Sequence, residues 1–408
     1  NGPFKTADSW IIAADGSKVS YAGVNWPGAE MTMVPEGLQY QSIETIVTRI
    51  QSLGMNSIRL TYATEMIDQI YENDMADIPI VTAFTSALGV ENGTEIFNQV
   101  VANNPSFNNE TTRLQVYDAI AAECAKHDIF VHLDNHVSRA SWCCDPFDGN
   151  TWWNDAYFSP SNWTRGLSYM ATHGKQWPNL MSMSLYNELR PPFSESNPDL
   201  LEAYTWEVWY EQIKRGATAI SLAHPDVLIF LSGLGGDTDL RPVVSGEPLE
   251  PGTAPFDLAD FAGSEDKLVL ELHSYDIVSP VTDCPSYHEG LVEAGYSAAQ
   301  RSDDGKKSSR NGNSTATNRF PVIMTEWGFT QDATTWKDGM YAKCVQKFLG
   351  EEFPGTGWMI WVIGGSYYTR QDKQDADESW GLLNHDWSDW RSPEFIEGGL
   401  KPLVRKTL

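Results

Sequence analysis

Short runs of consecutive apolar residues recur along the chain at 21–26, 57–62, 129–135, 181–187, 227–232, 268–273, 322–326 and 358–363, each closing near polar or aromatic residues. Runs of this length, apolar on both alternating sets of positions, predict strands buried on both faces of a sheet. Between them the apolar spacing changes to the helical period. The 42–53 segment predicts a helix with Ser42 as N-cap and Leu53-Gly54 as its exit, and 112–126, 163–172, 203–222 and 336–349 read alike. Eight strands alternating with helices require parallel crossovers. They predict an α/β chain folded as a single (β/α)8 TIM barrel, a fold that typically takes ~250 residues and tolerates insertions. An open doubly wound sheet is the alternative, but no Gly-rich phosphate loop follows any run. At the N-terminus, within 1–20, the 9–14 and 18–24 segments flank Asp15-Gly16 and predict a β-hairpin. The length beyond a bare barrel falls in two insertions, 63–110 and 276–319, read as long loops, with the Ser-, Asn-, Asp- and Gly-rich 301–318 stretch as a mobile tip. With no Pro-rich linker and no repeat beyond the βα unit, residues 1–408 read as one domain.

Charge narrows the functional classes. With 28 basic and 55 acidic residues the formal charge is −27, the wrong sign for nucleic acid or an anionic membrane surface. No apolar run is long enough to span a bilayer. The chain starts at Asn1 and carries four Asn-x-Ser/Thr sequons, at Asn92, Asn109, Asn162 and Asn313. Together these point to a mature, secreted, extracellular glycoprotein whose signal peptide has been removed. Sixteen tryptophans are more than a core of this size needs. Aromatic faces match the apolar C–H faces of sugars, so the excess hints at carbohydrate, against a plain core role.

In this barrel the C-terminal strand ends face the active site. Those ends carry Arg59, the trio Asp134-Asn135-His136, the pair Asn187-Glu188, His273 with Tyr275, then Glu326 and Trp361. Two isolated glutamates, each closing an apolar strand, are the informative pair, because a carboxylate there is costly unless paired or functional. Glycosidic hydrolysis needs two carboxyls with different tasks, roughly 5–5.5 Å apart for retention of configuration and roughly 6.5–9.5 Å for inversion. The structural alternative pairs Glu188 and Glu326 with Arg59, Arg190 or a histidine.

These residues follow a known register. Tyr186-Asn187-Glu188, Thr325-Glu326-Trp327-Gly328, Ser57-Ile58-Arg59-Leu60, Asp134-Asn135-His136, His273-Ser274-Tyr275 and Trp361 resemble, in order and strand placement, glycoside hydrolase family 5. That is a retaining (β/α)8 family of clan A that includes cellulases, mannanases and β-glucosidases. The resemblance implies Glu188 as acid/base and Glu326 as nucleophile. Many members carry Pro directly after the acid/base. Here Asn187-Glu188-Leu189-Arg190 and Ser141-Trp142-Cys143-Cys144 look like a branch of cellulase-like fungal and plant sequences. The expected activity is hydrolysis of β-linked glucans or related β-glycosides, cellulase- or endo-β-glucanase-like. Alternatives are exo action or transglycosylation on short β-glycosides, favoured by insertions long enough to wall off the cleft, and a carbohydrate-binding pseudoenzyme. A metal-dependent barrel hydrolase is a third reading.

Roles follow from the chemistry. Arg59 and Tyr275 can hydrogen-bond Glu326 and keep it ionised. Asn187 can hold the sugar 2-hydroxyl, and His136 and His273 can hold hydroxyls or orient the carboxylates. Trp361 is placed as the floor beneath the sugar, with Trp26 and Trp153 as the preferred further sugar contacts. Glu378-Ser379-Trp380-Gly381 is placed across one end of the cleft. No cofactor or metal is expected: the histidines lack His-x-x-x-His spacing, and the reaction needs no metal. The partner is an oligo- or polysaccharide, and the chain is expected to act as a monomer with an acidic pH optimum. Of the five cysteines, Cys124 and Cys344 read as buried thiols in separated helices. A bridge is expected from Cys284 to Cys143 or Cys144, ahead of a vicinal Cys143–Cys144 bridge.

Overall fold

The computed structural model describes residues 2–193, 198–277, 280–300 and 316–408. Eight parallel strands close into a barrel: β1 Ala22–Trp26, β2 Ser57–Ala63, β3 Phe130–Val137, β4 Leu180–Ser184, β5 Leu228–Ser232, β6 Leu268–Ser274, β7 Val322–Trp327 and β8 Gly357–Ile360. Each coincides with one of the apolar runs. β8 pairs with β1 through Trp358↔Ala22 and Ile360↔Val24, which closes the ring.

The helices between strands begin where local chemistry satisfies their first amides. Ser42 accepts from the Thr45 amide, Thr112 and Gln115 form a reciprocal capping box, and Thr205 accepts from the Val208 amide. The segment at 63–110, expected as a loop, is instead largely helical: Thr64–Glu72, Ile80–Leu88 and Val90–Asn103. Its Met66, Ile67, Ile70, Ile80, Phe84, Phe97 and Val100 are buried in the core, so its apolar positions follow a helical period that a reading by length alone passed over. In the second insertion Cys284–Ala294 is a helix, and the tip at 301–315 lies outside the described residues. The stretch read as one helix over 336–349 breaks at Gly339 into Thr335–Asp338 and Met340–Lys347.

The N-terminal hairpin forms, Trp10–Ile12 against Lys18–Val19, and gains a third strand, Lys5–Ala7. It plugs the N-terminal end of the barrel. Phe4, Ile11 and Ala13 join Tyr21, Met181, Leu228, Phe230, Val269, Ile323 and Met359 in one buried cluster. Tyr21 and Phe230 meet edge to face at 5.9 Å. Burying each such large side chain stabilises the fold by ~1.5–3 kcal/mol.

Tryptophan is largely a core residue here. Trp26, Trp152, Trp153, Trp163, Trp209, Trp327, Trp358 and Trp387 are fully buried. The expectation that Trp26 and Trp153 touch sugar is therefore overturned. Trp26 donates its indole N–H to the Glu36 carbonyl at 3.0 Å, and Trp153 packs against Trp152, Phe158 and Trp163.

The disulfides also differ from expectation. Cys284 bridges Cys344, with Cα atoms 4.9 Å apart, and Cys143 bridges Cys144. The helix after β7 packs directly on the Cys284–Ala294 helix of the β6 insertion, which brings together two cysteines that seemed remote around the ring. Cys124 is the buried free thiol.

Candidate active site

Polar side chains gather at the C-terminal mouth. A bulge in β7 between Met324 and Glu326 sets Glu326 opposite His273 of β6, re-aiming side chains as bulges do. Thr325 turns to Glu271 and His273, at 2.9 and 3.1 Å, and Glu326 points into the cleft. Glu188 lies beyond the end of β4 with φ of 48°. A left-handed non-glycine residue costs on the order of 1–3 kcal/mol and persists only when its surroundings impose it. Asp237 Oδ2 accepts the Glu188 amide at 2.9 Å, and Arg190 donates to the Glu188 carbonyl at 3.0 Å. Two left-handed glycines, Gly235 and Gly236, turn the chain after β5 so that Asp237 reaches this amide.

Arg59, fully buried, is the hub. It contacts Glu326 Oε1 at 2.5 Å, Asp134 Oδ1 at 3.0 Å, Asn187 Oδ1 at 2.7 Å and Asn25 Oδ1 at 2.9 Å. Tyr275 donates to the other Glu326 oxygen at 2.8 Å. His273 Nδ1 sits between the two glutamates, 3.0 Å from Glu188 Oε1 and 3.6 Å from Glu326 Oε2. One oxygen of Glu188, one of Glu326 and the His273 nitrogen all lie within 4.8 Å of one another. The two carboxyl groups thus approach each other directly across the cleft, the close-set arrangement that retention of configuration uses.

Protonation follows from these contacts. Burial pulls the His273 imidazole toward neutrality, but Glu326, the bond to Glu188 and the charges of Asp237 and Glu188 lift it from 6.5 to about 9. Burial pushes the Glu188 carboxyl up, yet the His273 bond and the positive charges of His273 and Arg190 hold it below the usual value. Burial raises Asp237 well above the usual carboxylate range. Asp134 is opposed by burial but held low by Arg59 and His136.

The cleft above these groups measures about 420 Å3 and is lined by His136, Trp142, Cys143, Cys144, Asn187, Glu188, Tyr275, Ile277, Glu326, Trp361, Arg370, Glu378, Ser379 and Trp380. His136 stacks flat on Trp361 at 5.6 Å and bonds Asp134 at 2.6 Å. The structure thus brings together Glu188, Glu326, Arg59, His136, Asn187, His273, Tyr275 and Trp361. It leaves out Trp26 and Trp153. Sequence reasoning missed Asn25, Asp237 and Arg370 altogether. The Gly235-Gly236-Asp237 turn after a buried strand was the available signal for Asp237. The Cys143–Cys144 bridge also lies in the cleft wall, with both sulfurs within 3.6 Å of Asn187 Nδ2.

Glu188, His273 and Glu326 are also arranged as a potential metal triad. Its donors are already engaged: Arg59 and Tyr275 take the Glu326 oxygens, and a charged imidazole is a poor ligand.

Fold and site define a (β/α)8 barrel with paired carboxylates at its C-terminal mouth. Residues 13–366 match the model of the cellulase family, glycosyl hydrolase family 5, and the chain belongs to that family. It is 35% identical over 406 residues to a glycosyl hydrolase 5 family protein of Chamaecyparis obtusa, covering 97% of this chain and 65% of the relative. It is 23% identical over 225 residues to the major extracellular endoglucanase of Xanthomonas campestris, covering 55% of this chain and 39% of that protein. The chain thus spans under two thirds of the length of the curated relatives it matches. Among solved structures, the hyperthermophilic endocellulase of Pyrococcus horikoshii superposes with a TM-score of 0.66 at 18% identity over the full length of both chains. The Xanthomonas endoglucanase catalytic domain superposes with a TM-score of 0.64 at 16% identity, covering 98% of this chain and 99% of that one.

Proposed function

We propose that this chain is a retaining β-glycosidase of β-linked glucans and related β-glycosides, acting by double displacement. The observation that carries this reading is the approach of one Glu188 oxygen to within 4.8 Å of one Glu326 oxygen, with His273 between them. Glu326 attacks the anomeric carbon while Glu188 gives its proton to the leaving oxygen, so the glycosidic bond breaks as the ester bond to Glu326 forms. Glu188 then takes a proton from water, which attacks the same carbon and releases Glu326. Arg59 and Tyr275 hold both Glu326 oxygens, which fixes the nucleophile in place and stabilises its charge. Asn187, anchored by Arg59, reaches toward the 2-hydroxyl, and Trp361 lies under the ring.

Substrate class rests on family and relatives. Pyrococcus horikoshii endocellulase structures include complexes with cellotetraose, and a β-glucanase of Saccharophagus degradans shares the fold with a TM-score of 0.61 at 15% identity. Because the His273 bond and the charges of His273 and Arg190 hold Glu188 low, its acid form requires a low pH, which supports an acidic optimum. The reading is tested with Glu326→Ala on an aryl β-glucoside, a cello-oligosaccharide and a manno-oligosaccharide. Loss of turnover on all three is expected, and near-wild-type turnover contradicts it. Activity is expected to persist in a chelator, and its loss there would favour a metal-dependent hydrolase.

We also infer a secreted, monomeric glycoprotein. Two disulfides fit an oxidising compartment, and Asn92 and Asn109 are exposed. A mass shift on enzymatic deglycosylation and a light-scattering mass are the checks.

A further inference from the structure

A two-stranded hairpin follows β8, Ser366–Arg370 paired antiparallel with Lys373–Asp377. It carries Arg370 and leads into Glu378, and both line the cleft. Arg370 Nη1 donates to Glu378 Oε2 at 3.0 Å, and Tyr367 donates its hydroxyl to the same oxygen at 3.0 Å. The Trp380 amide takes the other Glu378 oxygen at 2.9 Å. The Arg370 guanidinium lies 3.6 Å over the ring of Trp142, which comes from the loop after β3. Trp142 stands edge-on to both Tyr367 at 5.0 Å and Trp361 at 6.2 Å. The β3 and β8 loops therefore meet across the cleft beside the aromatic floor.

This contact is braced from behind. Gln374 donates to the Leu88 carbonyl at 3.0 Å and accepts from Asn92 at 2.6 Å, and Phe84 packs on Tyr368 at 4.9 Å. Glu36 accepts the Tyr368 amide at 2.6 Å. The helical insertion after β2 thus backs the hairpin that presents Arg370 and Glu378. Glu378 is nearly buried, whereas 29% of the Arg370 side chain is exposed. A charged pair so placed has donors and an acceptor edge for hydroxyls and is costly to keep unless something uses it.

We propose that Trp142, Arg370 and Glu378 form a closed end of the cleft that recognises the hydroxyls of a terminal sugar on the glycone side. The enzyme therefore acts from the non-reducing end of a β-glucan or on a short β-glycoside. This rests on the glycosidase reading above. The leaving group departs on the side of Glu188, and a ring lying over Trp361 meets Trp142 and Arg370 next.

The test uses the full chain and cellohexaose labelled at its reducing end, with products separated at low conversion. Wild type is expected to release unlabelled glucose or cellobiose and leave shortened labelled chains. Arg370→Ala is expected to raise KM for an aryl β-glucoside about tenfold or more with little change in kcat, the scale of one lost charge-assisted hydrogen bond. It is also expected to bring internal cleavage products into view. Glu378→Gln keeps the side-chain shape and is expected to move KM in the same direction, so it reads the proposal if Arg370→Ala does not fold. Internal cleavage by wild type, or release of labelled fragments first, overturns the closed end. So does an unchanged KM in both variants. Failure of the underlying reading looks different: wild type then hydrolyses no β-glycoside, or Glu326→Ala retains activity.

Discussion

The two ends of this barrel obey opposite rules. At the N-terminal end Phe4, Ile11, Tyr21, Phe230 and Met359 pack into a largely apolar plug. At the C-terminal end Arg59, Asp134, Glu326 and His273 are just as buried, yet they are charged or hydrogen-bonded to charge. The plug contributes stability through apolar area. The mouth carries ionic groups whose desolvation cancels much of their attraction, and it includes a left-handed glutamate. Chemistry is confined to one end of the strands, whereas the other contributes only stability, so a substitution in the plug spares kcat while one at the mouth does not.

The largest separation is expected from Glu326→Ala, which should reduce kcat on the order of 10^4-fold or more with little change in unfolding temperature, read by steady-state kinetics and calorimetry. Glu188→Gln should lower kcat by about 10²–10⁴-fold, and by less for aryl glycosides whose leaving group needs no proton. Arg59→Met tests whether the mouth also carries fold. Removing the buried cation takes the ion-pair partner from Asp134 Oδ1 and Glu326 Oε1, and about 3–5 kcal/mol of stability should be lost together with activity. At the other end Phe230→Ala should cost a similar ~3–5 kcal/mol in denaturant unfolding while kcat at a permissive temperature stays near wild type. A fall in kcat there without unfolding would break the segregation.

A smaller effect concerns pH. His273 binds its proton more tightly in the folded chain, at about 9 against 6.5. Its contribution to stability is therefore fully present below pH ~6.5 and lost as pH rises through about 9. Glu188 is held low, so its contribution is present above its unfolded value and lost as pH falls through the folded one. His273→Asn should flatten the alkaline fall of the unfolding temperature and raise the proton affinity of Glu188, moving the alkaline limb of kcat/KM upward. An unchanged profile in that variant would show that His273 does not couple the two glutamates.

Much of this division was legible before coordinates. All eight barrel strands follow from runs of apolar residues, because a sheet covered on both faces leaves few polar positions. The strand-end residues from Arg59 to Trp361 followed in turn, since a parallel barrel sends every C-terminal strand end to one mouth. What stayed hidden depended on contacts between distant segments. Indole rings bind sugar or fill a core with the same chemistry, so Trp26 and Trp153 could not be sorted by residue type. The Cys284–Cys344 pairing depends on two helices packing side by side, which their separation of 60 residues conceals. Arg370 ends a buried hairpin strand whose partner, Lys373–Asp377, is polar and mostly exposed, and only its stacking on Trp142 draws notice to it.

The central claim, that Glu326 forms a glycosyl ester across from Glu188, is tested most directly by trapping. A 2-deoxy-2-fluoro-β-glucoside with a good leaving group should inactivate the enzyme, and peptide mapping should find the sugar on Glu326, with proton NMR of ordinary turnover showing the β-anomer first. A label on any other side chain, or first release of the α-anomer, would contradict the account.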